Sequence, residues 1–184
     1  MRFKSLSEAT RFDILKAASP EPWKLDIKQR SQGYTLRLVN SVFDVEDNLF
    51  RLEFITNPPP GHTRQYQIIQ IENFWPFYFK NFGKMKDFSI FHEAIKQLDI
   101  KVFCSCPSWI YGGYKYMATQ LDYNAGEPEN RFPKIKNKNL KGSVCKHLYL
   151  TLKYLPNNIT SFQRDFSKYV KSLDINKWVQ YYNK

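Results

Sequence analysis

With 184 residues, 42% of them hydrophobic and 17% aromatic, the chain is long enough to bury a sizeable core and too apolar for disorder. Its formal charge of +11 implies attraction to polyanions, whether nucleic acid, anionic membrane or an acidic protein. Three cysteines cannot all pair internally, and Cys104 and Cys106 stand one residue apart, which argues against a disulfide scaffold and for a reducing cytoplasm during folding.

The N-terminal stretch mixes charges into an amphipathic helical pattern. Ser7 is a plausible N-cap, Glu8 falls in the first turn, and Phe12, Leu15 and Ala18 share one face. No secretory signal is read there. The densest apolar run, FWPFYF, is far shorter than the roughly 20 residues of a spanning helix. A soluble chain with no membrane partner is expected.

After a short helix the period changes. GYTLRLVNS, NLFRLEFIT and RQYQIIQIE alternate polar with apolar or β-branched residues, and DVEDN and NPPPGH separate them as turns. An antiparallel meander is expected, with Tyr34, Leu36 and Leu38 on one apolar face and Phe50, Leu52 and Phe54 on the next. On the third strand Tyr66, Ile68 and Gln70 lie opposite Ile69 and Ile71. NFWPFYFKNFGKM has no firm period and reads as a core plug in preference to a patch reserved for a partner. DFSIFHEAIKQLD is a helix capped by Asp87 or Ser89, with Phe91, Ile95 and Leu98 aligned. His92 on that helix reads as an ordinary surface or capped histidine, and His62 as a turn residue.

IKVFCSC is a short strand closed by Pro107, YKYMATQLDY a short helix, and VCKHLYLTLKYL a helix with Ser143 as N-cap and Pro156 as its stop. ITSFQRDFSKYVKSL and INKWVQYY are two final helices. The fold class expected is α+β: a small antiparallel sheet with flanking helices, forming one domain over 1–184. Within it, 100–156 is an embedded zinc module and 157–184 forms C-terminal helices.

The chemistry concentrates in the cysteines. Cys104 and Cys106 end a strand, and Cys145 and His147 lie at the start of a helix. Three thiolates and one imidazole make a closed tetrahedral set suited to zinc, a structural Zn2+ that ties strand to helix across 38 intervening residues. Lys101, Lys141 and Lys146 would offset the net negative charge of such a centre. From Asn130 to Arg164 there are eight Lys or Arg and no acidic residue. Arg131, Lys134, Lys136, Lys138 and Lys141 are therefore candidate contacts to a polyanion or a neighbouring subunit, with the lysines on one side if the stretch is extended. The carboxylates of VFDVEDN read as turn residues and not as a nuclease site. There is no phosphate-cradling glycine loop and no free nucleophile-histidine arrangement, so no enzyme is expected.

CSCP followed by CKHL resembles the two halves of the SWIM zinc finger, here with a spacer longer than is usual. The resemblance implies a strand-strand-helix zinc module that binds DNA or protein. The runs CSCPSWIYGGYKYMATQLDY and RFPKIKNKNLKGSVCKHLYLTLKYLP further resemble tailed-phage virion proteins. That resemblance implies an assembly role in a connector, neck, tail or baseplate. It also implies many copies among other virion proteins, location in the virion after assembly in the host cytoplasm, and non-specific contact with packaged DNA. A zinc-finger regulator binding DNA or RNA is the alternative, and an intracellular protein-protein adaptor would carry the same sequence signature.

Overall fold

A computed structural model describes residues 14–15, 31–135, 137–140 and 142–182. Four strands, β1 (Thr35–Asp44), β2 (Leu49–Asn57), β3 (Gln65–Ile71) and β4 (Ile100–Cys104), form one antiparallel sheet in sequence order. The expected meander is present, extended by the cysteine-bearing strand. The helix expected from Ser7 lies outside the described residues except for Ile14 and Leu15, which are helical. The short helix after it also lies outside them.

Alternation decides what the sheet buries. Phe50, Leu52 and Phe54 on β2 are fully buried, as expected. On β3 the core takes Gln67, Ile69 and Ile71, while Tyr66 and Ile68 are half-buried on the other face. Pairing settles the choice between the adjacent isoleucines, since Ile69 stands opposite Leu52 and Val102. A bulge at Val39 shifts the β1–β2 register, a common device on an edge strand.

The helices are α1 (Phe74–Asn81), α2 (Asp87–Gln97), α3 (Pro107–Tyr111), α4 (Tyr114–Gln120), α5 (Lys146–Tyr154), α6 (Ile159–Ser172) and α7 (Ile175–Tyr182). The aromatic run is core, as preferred, and it is helical: Phe74, Trp75, Tyr78 and Phe79 are buried along one stripe of α1. Pro76 is tolerated because it falls in the first turn, where no intrahelical N–H partner is lost. Phe50 meets Phe74 at 4.0 Å between ring centroids, and Phe166 of α6 stacks on Trp75 at 5.9 Å. Tyr169 and Tyr182 reach back to the β1–β2 turn. The Val45 N–H donates to Tyr169 Oη at 2.8 Å, and Tyr182 Oη donates to the Val45 carbonyl at 3.1 Å. The C-terminal helices therefore belong to the same core as the sheet.

Two N-caps differ from expectation, whereas α5 ends at Tyr154, ahead of Pro156 as expected. Asp87 is the first residue of α2, not its cap, and Ser89 lies inside the helix; the N-cap is Lys86, which makes no side-chain capping bond. Ser143 does not cap α5, because its hydroxyl donates to the Ile14 carbonyl at 2.6 Å; the N-cap is Cys145. Pro156 falls in a 3-10 turn, Leu155–Asn158, that leads directly into α6.

Candidate metal centre

The sheet becomes polar toward one end. Across the core face, the row Leu52, Ile69, Val102 is wholly apolar, whereas the next row outward is Phe54, Gln67, Cys104. Cys104 points into the core because it shares the parity of Ile100 and Val102. Two residues on, Cys106 is the N-cap of α3, with Pro107 at the first helical position and the Trp109 backbone N–H donating to its Sγ at 3.3 Å. Cys145 holds the equivalent place on α5, and His147 follows in the first turn. Two helix starts and one strand end thus converge.

The three sulfurs and a ring nitrogen of His147 lie within 4.8 Å of one another, and Cys104 Sγ is 3.9 Å from His147 Nδ1. Tetrahedral zinc with Zn–S bonds of about 2.3 Å needs donor separations of about 3.8 Å, a contraction of about 0.6 Å per ligand even from the largest separation here. All four residues are buried, and the cysteines are free thiols. The expected ligand set is assembled as one buried group able to bind a metal. Among the described residues it is the one such group of three or more His, Cys, Asp or Glu side chains.

The local electrostatics favour one thiolate of the three. Hydrogen bonds from Cys104 and Cys145, then from His147 and the Trp109 N–H, push the Cys106 thiol far down despite its burial. Burial pushes Cys104 and Cys145 up. A buried trio of thiols therefore accommodates one thiolate readily, and a cation would be needed to ionise the others. Gln67 Nε2 donates to Cys104 Sγ at 3.8 Å, which satisfies one end of the fully buried glutamine on the core face of β3, while its Oε1 has no partner among the described residues. The ring of Tyr34 meets that of His147 edge-on at 5.4 Å, and Lys146 Nζ lies 4.3 Å from the Tyr34 centroid while donating to its hydroxyl. Gln67, Trp109 and Tyr34 went unread in the sequence as parts of this site. The one available signal was a glutamine in phase with Ile69 and Ile71.

Lys101 does not offset the site. It lies on the opposite face of β4 and pairs with Asp122 at 3.4 Å and Glu72 at 3.8 Å. Lys141 lies outside the described residues.

The 38 residues between Cys106 and Cys145 fold back on β4. The Val102 N–H donates to the Tyr123 carbonyl at 2.7 Å, the Ala125 N–H to the Val102 carbonyl at 2.9 Å, and the Tyr123 hydroxyl to the Ser143 carbonyl at 2.9 Å. Gly113 permits the fold-back: its φ is +81°, and a Cβ there would stand 2.8 Å from Pro133 Cγ.

In the basic stretch, Arg131, Lys134 and Lys138 are exposed, and Lys136 lies outside the described residues. The segment is not an extended strand with charges on one side. Ile135 is 87% exposed beside Lys134, and Asn137 and Leu140 take positive φ. Arg131 is already occupied, since its guanidinium grips Glu129 through two hydrogen bonds of 2.9 and 2.7 Å.

No protein-family model matches the chain, and no curated protein or solved structure shows significant similarity to it. No helix among the described residues is long and apolar enough to cross a membrane.

Proposed function

We propose that Cys104, Cys106, Cys145 and His147 bind one Zn2+ as a structural staple, and that the protein is a non-enzymatic assembly component of a tailed-phage virion. The observation that carries the metal reading is the convergence of four buried soft or borderline donors within 4.8 Å. Four protein ligands fill a tetrahedral shell and leave no position for a reacting water. Zinc supplies charge neutralisation of the thiolates and a cross-link. The chain's own residues set the donors, with Trp109 and Gln67 donating hydrogen bonds to the sulfurs.

The assembly role is supported by the resemblance of the two cysteine-bearing runs to virion proteins, together with a metal site suited to holding a fold and not to turning over substrate. Elemental analysis of untagged protein should give close to one zinc per chain. A folded protein with none overturns the metal reading. Mass spectrometry of purified particles from the source should find the chain as a multi-copy component, and its absence from particles that form in its presence overturns the assembly role.

A further inference from the structure

The end of the sheet that carries the metal donors also carries cations that the metal does not use. A cleft of about 420 Å³ opens there between Arg37 on β1, the Pro58–Pro60 turn, and His62 and Arg64. None of its lining residues is acidic. Neither guanidinium makes an ion pair or hydrogen bond among the described residues, and both residues are exposed. A second cleft of about 220 Å³ lies between Gly33, Tyr34, and Tyr149 and Lys153 of α5, again with no acidic lining. Tyr34 joins the two. Its ring stands 6.4 Å from that of His62 and carries Lys146 over it. Close packing of Gly33 on Pro59, where a Cβ would lie 3.0 Å from Pro59 Cγ, holds the β1 entry against the proline turn.

The composition of this face discriminates between partners. Protein interfaces bury an apolar, charge-depleted centre, and the exposed apolar cluster suited to one, Tyr111, Phe132 and Ile135, lines a different cleft. Here Arg37, Arg64, Lys146 and Lys153 surround turns and the rings of Tyr34, Tyr149 and Tyr154. Surfaces that hold nucleic acid are polar and positive, and guanidiniums free of carboxylates bind phosphate in a forked geometry. On the 131–140 segment the one arginine fork is taken by Glu129.

We propose that the face running from Arg37 and Arg64 across Tyr34 to Lys146 and Lys153 is a sequence-independent site for the phosphate backbone of nucleic acid. The site does not depend on the virion role.

Fluorescence anisotropy with a short mixed-sequence DNA duplex tests it. At about 50 mM salt, Arg37→Gln with Arg64→Gln should weaken binding by about tenfold or more and lower the slope of log affinity against log salt by about 2. Lys134→Gln with Lys138→Gln should change affinity by less than about twofold. Metal content and melting temperature should match the parent protein in both variants. The proposal is overturned if the parent does not bind, or if the Lys134 and Lys138 pair carries an equal or larger share. It is also overturned if polyglutamate binds as tightly as DNA with the same dependence on Arg37 and Arg64. Should either variant fold poorly, hydroxyl-radical footprinting of the parent on DNA decides: protection at Tyr34 and His62 upholds the site, and protection confined to 131–140 removes it.

Discussion

Stripping the metal is the perturbation with the clearest expected size. A zinc bridge from Cys104 and Cys106 to Cys145 and His147 closes a loop of 38 residues between its nearest ligands. The entropy removed from the unfolded chain by one cross-link of that length amounts to about 4 kcal/mol. For a domain of this size each kcal/mol is worth about 2–4 °C in melting temperature, so metal loss should lower it by about 8–16 °C. Folding should survive, because the rings of Phe50, Phe74, Trp75, Tyr78 and Phe166 are buried and pack on one another. The assay is scanning calorimetry of zinc-loaded protein, of protein stripped with a strong chelator, and of Cys106→Ser, with metal content measured on each sample. A shift below about 2 °C in protein shown to have lost its zinc would refute the cross-link argument.

Three further outcomes are expected. Phe166→Ala removes a ring packed against Phe50, Phe74, Trp75 and Tyr78 and should cost about 3–5 kcal/mol in chemical denaturation without changing zinc content. Tyr66 is pushed up to about 12, by burial first and then by Glu53. Its neutral form is thus favoured in the fold, so stability present below the ordinary value of about 10 is lost as pH rises from there through 12, and Tyr66→Phe should flatten that alkaline decline in urea midpoints. Glu129 is held down to about 2 by hydrogen bonds from the Arg131 side chain and backbone. The tether is present above the ordinary carboxylate range and is released as pH falls toward 2, and Glu129→Gln should speed tryptic cleavage at Arg131 relative to Lys134 at neutral pH.

Much of the fold could be read from spacing because one face of each element is polar. β2 alternates throughout and β1 does so as far as its bulge at Val39, and α2, α6 and α7 have solvent-facing sides that make a helical period visible. α1 hid its period because Phe77 and Phe82 are only half-buried yet as apolar as the four residues that face the core. β3 hid its facing because Ile68 and Ile69 are adjacent and equally apolar, and only the pairing with Leu52 and Val102 separates them. α3 is a single short turn, signalled by nothing but Pro107 after Cys106. The ligand set was legible because sulfur and imidazole carry their chemistry wherever the chain places them. Its supporting donors were not, since a backbone N–H has no sequence signature and Gln67 becomes meaningful only beside Cys104.

The position of the cluster shows what the proposed metal would add to this domain. Toward the α1 and α2 end the sheet offers Ile71 and Ile100 side by side, and Phe50 of β2 meets Phe74 of α1, Phe91 of α2 and Phe162 and Phe166 of α6. Toward the other end the core-facing residues become Gln67, Cys104 and the fully buried Thr56, and the chain above them is an insertion whose two helices, α3 and α4, span five and seven residues. Helices that short are marginal on their own. Trp109, Met117, Ala118 and Tyr123 continue the core into this insertion, which is attached to the sheet by the Tyr123–Ala125 backbone bonds to Val102 and by its two ends at Cys106 and Cys145. A cross-link there adds stability without requiring more apolar area, and it leaves the surrounding rim of Arg37, Arg64 and Lys146 free to stay polar and charged. With the proposed metal in place, the end of the sheet that carries Gln67, Cys104 and Thr56 would be held by a cross-link where the aromatic packing around Phe50 does not reach, and its rim could stay basic.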